Sequence, residues 1–598
     1  MSMSIESDSD ISAITLLGSN DSSDENIMTF NGDTVMTLTG KTAVEGVFIT
    51  DGKQGPAKAV FNGNLDLGIE AGGLAYGIYH GTSYGFNVFP DGSPNGGSIK
   101  IDGALNLDID SQTRAGGVIS GSWFGVNGYG AGDVSFGKSG LKNSIVLQGG
   151  EIDFANLPGQ DKMVGLLAYS EYEDSQSKIA VHGSTSIVIN SEKTLNPNSI
   201  NNGTFGVYAA YNSKIEFLDE NESLSIDLTS SSVKRRLDGI AAGLYDFLNP
   251  NTSSSIAVNQ KNTDLIFRTG ATAWGIESYA GADISLTTNL KIQAYDVDAM
   301  VGLFASRYLT NNYSSSYNQK GGTIDLTGGY SFFIPEGAKA SESRWKAISA
   351  DGSYQLDGYK ASINVDASGE VSQIEGGVYA VYGGQVDLTL DGADSYLLGH
   401  VDQRASMTNA NTAASGNINL TLKNGAAWRN LDYLIYSSNY ADDPEFGDGY
   451  STANRLTMAG GILDMSTAPV SGWQRSSYQK IALKELAGAS GMANNGKFIF
   501  DMNLADEVNE SVQEDYLKLN VDQLIIEGQA TGTYEAAINF VNGLAGVDPN
   551  KAYSENWIIS QGADSDMTIN MANGAQAISG RGMVSQWMLR FVEEGGAA

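Results

Sequence analysis

One short phrase, a glycine followed by a bulky apolar residue, any residue and a small residue, recurs through the first two thirds of this chain of 598 residues. Two copies extend into nearly the same longer stretch, GVYAAYNSKIEFL at 206–218 and GVYAVYGGQVDLTL at 377–390. The copies are GVFI at 46–49, GVIS at 117–120, GLLA at 165–168, GVYA at 206–209, GIAA at 239–242, GIES at 275–278, GLFA at 302–305 and GVYA at 377–380. Such self-similarity predicts one structural unit that is built many times.

Two further stretches of period-two alternation follow most copies, such as SKIEFL and then LSIDLT. Alternation of this kind predicts short β-strands, so each unit holds about three of them. The copies are about 27 to 48 residues apart, an irregular spacing that loops of varying length between fixed strands explain. The sequence therefore predicts an all-β fold, a right-handed parallel β-helix (β-solenoid) with about three strands per rung and rungs ~4.8 Å apart.

The repeat also predicts the inside of this β-helix. Inward side chains, for example Val378, Val386, Leu388 and Leu390, are expected to stack on their counterparts in adjacent rungs. We expect about 14 to 19 rungs and a rod of about 65 to 90 Å. The repeated glycine is expected to relieve backbone strain at a corner, and the small residue to let neighbouring coils approach each other.

Composition and charge exclude several classes of function. The formal net charge of −34 repels the phosphates of nucleic acids and anionic lipid surfaces, so no nucleic-acid partner is expected. Without cysteine the chain has no disulfide, thiolate metal site or cysteine nucleophile. No stretch approaches the ~20 apolar residues of a membrane span, and MSMSIESDSD at the start lacks the pattern of a signal peptide. We expect no cofactor.

The last third of the chain carries a different set of motifs. A strand with an Ala-x-Trp type of pattern contains Ala426, Ala427 and Trp428. A second group of spaced glycine, apolar and acidic residues follows it: Gly496, Phe498, Phe500, Asp501, Asp515, Leu517, Leu519 and Gly528. Over about 180 residues these motifs resemble the C-terminal part of pertactin-like (AIDA-type) autotransporter passenger domains.

This resemblance implies a Gram-negative protein of type V secretion, exported through the periplasm and displayed at the cell surface by its own outer-membrane β-barrel. We expect the chain to be a passenger fragment, because neither the strands of that barrel nor a signal peptide is found in it. The expected organisation is a polar N-terminal cap over 1–30 and β-helix repeats with loop insertions over 31–475. The end of the β-helix and an autochaperone-like capping region are expected over 476–598.

Signals of catalysis are weak. GTSYG at 81–85, directly after His80, matches the G-x-S-x-G pattern of serine hydrolases, but a chain this rich in Gly and Ser contains about one such match by chance. With only His80, His182 and His400, a Ser-His-Asp triad or a His-rich metal site has few ways to assemble. A polysaccharide lyase or glycosidase with paired carboxylates stays open as an alternative, because 69 acidic residues allow many pairs.

Two charged runs are candidate ion sites. The stretch ADDPEFGDGY brings Asp442, Asp443, Glu445 and Asp448 into one loop with oxygen ligands of the kind that calcium takes. It matches no EF-hand or nonapeptide pattern, and a solvated acidic loop is the alternative interpretation. KRR at 234–236 is predicted to be a solvated turn.

Long insertions between the strands are the predicted binding elements. They are rich in Tyr, Asn, Ser and Gly, as antibody paratopes are, and lie at 80–97, 306–322 and 435–450. The candidate binding residues are Tyr308, Tyr313, Tyr317, Tyr436, Tyr440 and Phe446. Packing of the tyrosines of 306–322 on the side of the rod is the alternative.

The function that follows is that of a surface-displayed adhesin. Its expected partner is a host glycan, a matrix or surface protein, or another copy of the same chain. In the last case, ladders of Asn, Thr and Asp along one face make many weak contacts whose sum is large. The alternative is a glycan-active enzyme that uses paired carboxylates.

Overall fold

A computed structural model gives the architecture of the chain. It describes residues 1–19, 24–51, 55–81, 97–121, 132–151, 162–170, 176–194, 203–230, 236–243, 254–279, 281–306, 321–333, 345–352, 361–403, 415–430, 450–466, 479–502, 521–540, 558–560, 566–571, 578–579 and 586–587. The secondary structure in these ranges is β-strand, and no helix that could span a membrane occurs there.

The described strands are numbered β1 to β43 in chain order. Their bounds are β1 Ser2–Ser7, β2 Ile11–Leu17, β3 Asn26–Phe30, β4 Thr34–Gly40, β5 Val44–Thr50, β6 Ala57–Phe61, β7 Leu65–Ala71, β8 Ala75–His80, β9 Ser98–Ile101, β10 Leu105–Ser111, β11 Ala115–Gly121, β12 Asp133–Phe136, β13 Lys142–Glu151, β14 Lys162–Ser170, β15 Ser177–Val181, β16 Ser184–Thr194, β17 Gly203–Tyr211, β18 Ser213–Phe217, β19 Ser223–Ser230, β20 Arg236–Ala242, β21 Ser254–Tyr279, β22 Asp283–Ser306, β23 Thr323–Thr327, β24 Tyr330–Phe333, β25 Trp345–Asp351, β26 Ser362–Asp366, β27 Gln373–Glu375, β28 Gly377–Val381, β29 Gln385–Asp391, β30 Tyr396–Leu398, β31 Val401–Asp402, β32 Asn417–Lys423, β33 Ala427–Arg429, β34 Tyr450–Ala459, β35 Gly461–Asp464, β36 Lys480–Gly488, β37 Gly496–Met502, β38 Gln523–Ile526, β39 Thr531–Phe540, β40 Ile558–Ser560, β41 Asp566–Met571, β42 Ile578–Ser579 and β43 Gln586–Trp587.

Strands three places apart pair in parallel, as β1 does with β4, β2 with β5 and β3 with β6. This pairing produces three parallel sheets that run along the rod. We name them A, B and C after β1, β2 and β3, which begin them. The long strands β21 and β22 each pass through all three sheets, since 255–259, 262–268 and 272–279 of β21 pair in turn with successive parts of β22. The predicted parallel β-helix with three strands per rung is confirmed. The right-handed winding stays a prediction that rests on the usual hand of parallel crossovers.

Each sheet collects one strand or part of a strand from each rung. Sheet A contains β1, β4, β7, β10, β13, β16, β19, the middle parts of β21 and β22, β24, β27, β30, β33, β35, β37, β39 and β41. Sheet B contains β2, β5, β8, β11, β14, β17, β20, the last parts of β21 and β22, β25, β28, β31, the first parts of β34 and β36, β38 and β40. Sheet C contains β3, β6, β9, β12, β15, β18, the first parts of β21 and β22, β23, β26, β29, β32 and the second parts of β34 and β36.

The core consists of apolar columns that run along the rod. In sheet A one column of successive register partners passes through Met36, Leu67, Leu107, Ile145, Ile187, Ile226, Leu265, Ile292, Phe332, Ile374, Leu397, Trp428, Leu463, Phe498 and Ala536. Every member is buried. Burial of each Leu, Ile or Phe stabilises the fold by ~1.5–3 kcal/mol, so the column joins the rungs into one hydrophobic core.

The predicted core positions and rung number agree with the structure. Val378, Val386, Leu388 and Leu390 are all buried. Sheet A stacks seventeen strands or parts of strands in the described residues, within the predicted number of rungs. At ~4.8 Å per rung the stack is about 77 Å long.

Both ends of the described structure extend the same pattern. The first rung, formed by β1, β2 and β3, already lies within the segment 1–30 that was predicted as a cap. At the other end β39 and β41 continue sheet A to Met571, and β42 pairs with β43 in a separate antiparallel sheet. The predicted domain boundaries stay predictions.

Seven of the eight repeated glycines, all except Gly377, form a ladder inside sheet B together with Gly77. Its members are Gly46, Gly77, Gly117, Gly165, Gly206, Gly239, Gly275 and Gly302. At each of the first seven, an added Cβ atom would lie 2.5–2.8 Å from the carbonyl oxygen of the next glycine in the ladder. None of the eight has a positive φ. The expectation that these glycines relieve backbone strain is therefore wrong. The close approach of neighbouring coils is what requires glycine.

We predict that Gly77→Ala destabilises the protein and that Gly68→Ala does not. The new Cβ at Gly77 would lie 2.8 Å from the carbonyl oxygen of Gly117, whereas at Gly68 the nearest atom is 4.0 Å away. Overpacking of this kind costs about 1–3 kcal/mol. Denaturant unfolding of the two variants measures the difference. Equal midpoints would contradict close approach as the reason for the ladder.

Candidate functional site

The residues predicted to bind a partner lie outside the described ranges. These are Tyr308, Tyr313, Tyr317, Tyr436, Tyr440 and Phe446, together with the calcium candidates Asp442, Asp443, Glu445 and Asp448. In the described part of the chain no group of three or more His, Asp or Glu residues is placed to hold a metal ion.

One described end of each candidate segment belongs to sheet B. Ser306, the last residue of β22, precedes the segment with Tyr308, and Tyr450, the first residue of β34, follows the segment with Tyr440. Each of the two segments is therefore joined to sheet B at one end, and to sheet C or sheet A at the other.

From β11 to β20 the outer side of sheet B is buried as well as its inner side. A second apolar cluster covers it over β11, β14, β17 and β20. Its members are Ile119, Val164, Leu167, Tyr169, Phe205, Tyr208, Ala210, Tyr211 and Ala241. Farther along the rod, the same outer side carries charged groups in place of apolar ones.

The first charged group lies on β20 and β21. Nε of Arg236 donates to both carboxylate oxygens of Asp238, at 2.8 and 3.0 Å. Nη2 of Arg236 donates to Oε2 of Glu277 and, at 2.9 Å, to the hydroxyl of Tyr279. The guanidinium carbon lies 4.8 Å from the centre of the Trp274 ring. Arg236 was predicted to lie in a solvated turn, and that prediction is wrong, since only 24% of its side chain is exposed.

Both carboxyl groups of this cluster are fully buried. Burial raises the pKa of Glu277 well above its usual value, and Asp238 raises it further through its charge and a hydrogen bond between the two carboxyl groups, while Arg236 acts in the opposite direction. Oε1 of Glu277 has no hydrogen-bond partner. Catalytic carboxyl pairs of glycosidases stand ~5–9.5 Å apart around a sugar or a water, whereas Asp238 and Glu277 are fully buried on one guanidinium.

A second charged pair lies on β25. Burial raises the pKa of Asp351 to about 6, and the charge of Lys346 acts against that rise. Burial lowers the pKa of Lys346. The Lys346 amine lies 5.0 Å from the centre of the Tyr379 ring on β28.

The structure brings one serine, one histidine and one aspartate together. Oγ of Ser451 lies 3.0 Å from Nδ1 of His400, and Nε2 of His400 lies 3.8 Å from Oδ2 of Asp402. Ser451 is fully buried, and its Oγ contacts Oδ1 of Asn430 at 2.7 Å as donor and the backbone N–H of Val401 as acceptor. A hydroxyl held inside the core by three partners has a structural role.

His80 also has a structural role in the described residues. Its Nδ1 accepts a hydrogen bond from the backbone N–H of Asp133 at 2.8 Å, and the ring is buried. The rest of the GTSYG motif, from Thr82 on, lies outside the described ranges.

One small cavity of about 200 Å³ lies near the C-terminal end of sheets B and C. Its lining residues are Gln403, Ser415, Thr452, Ala453, Ala482, Lys484 and Glu527. This volume is below the ~300–1,000 Å³ that is usual for a ligand pocket, so the cavity gives no support to an enzyme.

Sheet C presents a different surface, which we name the sheet C strip. The strip consists of the outward residues Lys58, Val60, Ser98, Lys100, Asp133, Ser135, Lys178, Ala180, Lys214, Glu216, Ser255, Ala257, Asp283, Ser285, Thr287, Thr323, Asp325, Thr327, Ser362, Asn364, Asp366, Gln385, Asp387, Thr389, Asp391, Asn417, Asn419, Thr421 and Lys423. All are exposed or half-buried. The connections from sheet C to sheet A are short and described at every rung as far as β37, the longest being 489–495. No long segment therefore leaves from that edge of the strip in these rungs.

Lysine predominates in the first part of the strip, which also contains Asp133 and Glu216, and aspartate predominates in the second part, which also contains Lys423. Four lysines lie in its first part, which we name the lysine half: Lys58, Lys100, Lys178 and Lys214. Five aspartates lie in the acidic half that follows: Asp283, Asp325, Asp366, Asp387 and Asp391. Hydrogen bonds from the side chains of Ser368 and Asn424 lower the pKa of Asp366 and Asp391 respectively, so both are ionised at neutral pH.

Three of the lysines have acidic neighbours within the same chain. Lys58 contacts Glu25 at 2.6 Å, Lys100 contacts Asp102 at 2.8 Å and Lys214 contacts Glu216 at 2.7 Å. Ion pairs at a surface contribute only ~0–1 kcal/mol, so a partner of opposite charge can replace them at little cost.

Comparisons with known proteins do not assign a family. No protein-family model matches the chain, and no curated protein matches it in sequence. The resemblance to autotransporter passengers therefore rests on the motifs alone. Of these, Trp428, Phe498 and Phe500 lie in the core, whereas Asp515, Leu517 and Leu519 are outside the described ranges.

We predict that Lys346→Met moves the titration of Asp351 to higher pH. Because the folded-state pKa of Asp351 is raised from 3.8 to about 6, the stability linked to it is present below pH 3.8 and lost as the pH rises to about 6. Without the lysine charge, that loss should continue above pH 6. The melting temperature of Lys346→Met, compared between pH 4 and 8 with that of the exposed control Lys291→Met, checks this. Parallel curves between pH 6 and 8 would contradict it.

Proposed function

We propose that the chain is a surface-displayed passenger of the autotransporter type and acts as an adhesin through the sheet C strip. The parallel β-helix and the motifs around Trp428 and Phe498 support the first part of this proposal. The strip supports the second part, because it presents a polar surface on a rigid scaffold and is open along its edge towards sheet A.

The segregation of charge along the strip is the observation that carries the proposal. Two copies that lie antiparallel, strip against strip, bring the lysine half of each onto the acidic half of the other. Such an interface is the same on both copies, as two-fold symmetry requires. Because each copy has a net charge of −34, two copies in most other orientations would bring like charges together and repel each other. The antiparallel arrangement brings opposite charges together.

A second copy is therefore the partner that the described residues favour. Each contact between exposed polar groups is weak, but contacts repeat at every rung, and many copies displayed on facing cell surfaces add their binding energies. Host glycans and matrix or surface proteins are the other partners that an adhesin of this kind would bind.

Charge exchange tests the proposal. One variant carries Lys100→Glu, Lys178→Glu and Lys214→Glu in the lysine half, and the other carries Asp283→Lys, Asp325→Lys and Asp387→Lys in the acidic half. We expect each variant alone to self-associate at least tenfold more weakly than the wild-type chain, because like charges then face each other. A mixture of the two should associate again. Sedimentation at low and high salt measures this, since salt screens such contacts.

The matched control carries Lys142→Glu, Lys291→Glu and Lys497→Glu on sheet A and should associate as the wild type does. Failure of the mixture to associate would overturn the antiparallel pairing. A wild-type chain that neither self-associates nor binds any member of an array of glycans and matrix proteins would overturn the adhesin proposal as a whole.

An enzyme with paired carboxylates is the second candidate function. The observation that favours it is the presence of Asp238 and Glu277 beside Arg236 and Trp274. Full burial of both carboxyl groups weighs against it, because a glycosidase needs space for a sugar or a water between its acids. Hydrolysis of a panel of polysaccharides that is lost in Glu277→Gln would support the enzyme.

A further inference from the structure

The small cavity at the C-terminal end of sheets B and C is built on three successive rungs. Thr452 and Ala453 of β34 and Ala482 and Lys484 of β36 line it, together with Glu527, which follows β38. These strands are neighbours, because β34 pairs with β36 and β36 pairs with β38. The lining is therefore held by the strand framework at the place where β34 and β36 pass from sheet B into sheet C.

Another part of the lining comes from the two residues that flank segment 404–414. These residues are Gln403 and Ser415. The backbone N–H of Gly416 donates to the carbonyl oxygen of Gln403 at 2.9 Å, and the backbone N–H of Gln403 donates to Oγ1 of Thr452 at 3.1 Å. These hydrogen bonds fix Gln403 next to β34.

The side chain of Gln403 brings hydrogen-bond donors to the cavity. It is 4% exposed, and its Oε1 accepts a hydrogen bond from the backbone N–H of Ile418 at 3.3 Å. Only an oxygen can accept from that N–H, so the orientation of the amide is fixed. Its Nε2 donates to no group in the part of the chain that the structure describes. Buried N–H groups without an acceptor are unfavourable, so a ligand that accepts from them gains affinity.

The other two functional groups of the cavity carry opposite charges. Lys484 and Glu527 are exposed and lie on neighbouring rungs, directly after the register pair of Leu483 and Ile526. The ammonium group disfavours a metal cation, and the carboxylate disfavours an inorganic anion. An apolar ligand would leave the N–H groups of Gln403 without an acceptor. A neutral molecule with hydroxyl groups satisfies all three side chains, because a hydroxyl group both donates and accepts.

We propose that this cavity binds a single sugar unit of a glycan. Hydroxyl groups of a sugar ring accept hydrogen bonds from Lys484 and Gln403 and donate to the carboxylate of Glu527. The apolar face of the ring packs on Ala453 and Ala482. The volume of about 200 Å³ is below the ~300–1,000 Å³ of a usual ligand pocket, which suits one ring. An amino acid also carries both charges, but it would have to give up the hydration of both on binding.

The cavity shares no residue with the sheet C strip. It gives the adhesin a glycan partner in addition to a second copy, and this biological role rests on the proposed function. Binding of the sugar itself depends only on the cavity. Sugar binding and self-association are therefore measured independently.

Saturation-transfer NMR of the full chain tests the site with the methyl glycosides of glucose, galactose, mannose, N-acetylglucosamine and glucuronic acid. We expect at least one of them to bind in the millimolar range, as a small molecule with few contacts does. Lys484→Met combined with Glu527→Gln should weaken that binding at least tenfold, because hydrogen bonds to charged groups are the strong ones. Ala482→Leu should abolish it by filling the cavity.

Lys291→Met combined with Glu70→Gln makes the same exchanges at exposed positions of sheet A and should leave sugar binding unchanged. Overpacking at Ala482 can destabilise the fold, so the exposed pair Lys484→Met and Glu527→Gln decides if the Ala482→Leu protein does not fold.

Two further measurements separate this site from the proposed function. The charge-exchange variants of the strip should bind the sugar as the wild type does, and the cavity variants should self-associate as the wild type does. Glycine and glutamate are measured in the same panel as the sugars. Binding of an amino acid but of no sugar, no binding at all, or sugar binding that the cavity variants leave unchanged would overturn the proposal.

Discussion

The rest of the structure depends on the parallel hydrogen-bonding register between successive rungs. Once one strand pairs with the strand a full turn later, the ~4.8 Å spacing applies to every position of the rung. Inward side chains must then pack directly on their counterparts, as Leu265, Ile292 and Phe332 do. At the ladder from Gly46 to Gly302 the neighbouring coils approach each other more closely still, so that an added Cβ atom has no room.

The three sheets have different surfaces because the long insertions are unevenly placed. The connections from sheet C to sheet A are short, which leaves the sheet C strip open along that edge. Sheet B is continuous with the segments that contain Tyr308 and Tyr440, and part of its outer side consists of buried apolar and charged side chains. One side of the rod therefore presents polar groups to solvent, and another carries buried ionisable groups.

The sequence predicted the fold well because period-two alternation and the repeated phrase report directly on strands and their inward faces. Val378 and Leu388 were predicted in the core on this ground and are buried. Contacts between rungs were not predictable, because the irregular length of the rungs hides the register. Arg236 and Glu277 are 41 residues apart and meet only because their strands pair one rung apart. The sole sequence signal for this contact was the compact basic run that ends at Arg236, and that run was interpreted as a solvated turn.

The candidate site was predicted less well, for a related reason. Tyr-rich composition identified insertions, whose residues lie outside the described ranges, and the adhesive role that it suggested stays a prediction. The segregation of Lys178 and Lys214 from Asp325 and Asp387 becomes visible only when the outward residues of sheet C are ordered by rung. Along the linear sequence these charges are separated by the residues of the other two sheets.

Cross-linking between copies tests the central claim most directly, since the chain has no cysteine of its own. Ala180 and Asn364 lie on the strip in the lysine half and the acidic half respectively. One population would carry Ala180→Cys and the other Asn364→Cys, and both would be oxidised separately and together. Antiparallel pairing of the strips predicts covalent dimers mainly in the mixture. Equal or greater cross-linking within either separate population, or none in the mixture, would contradict it.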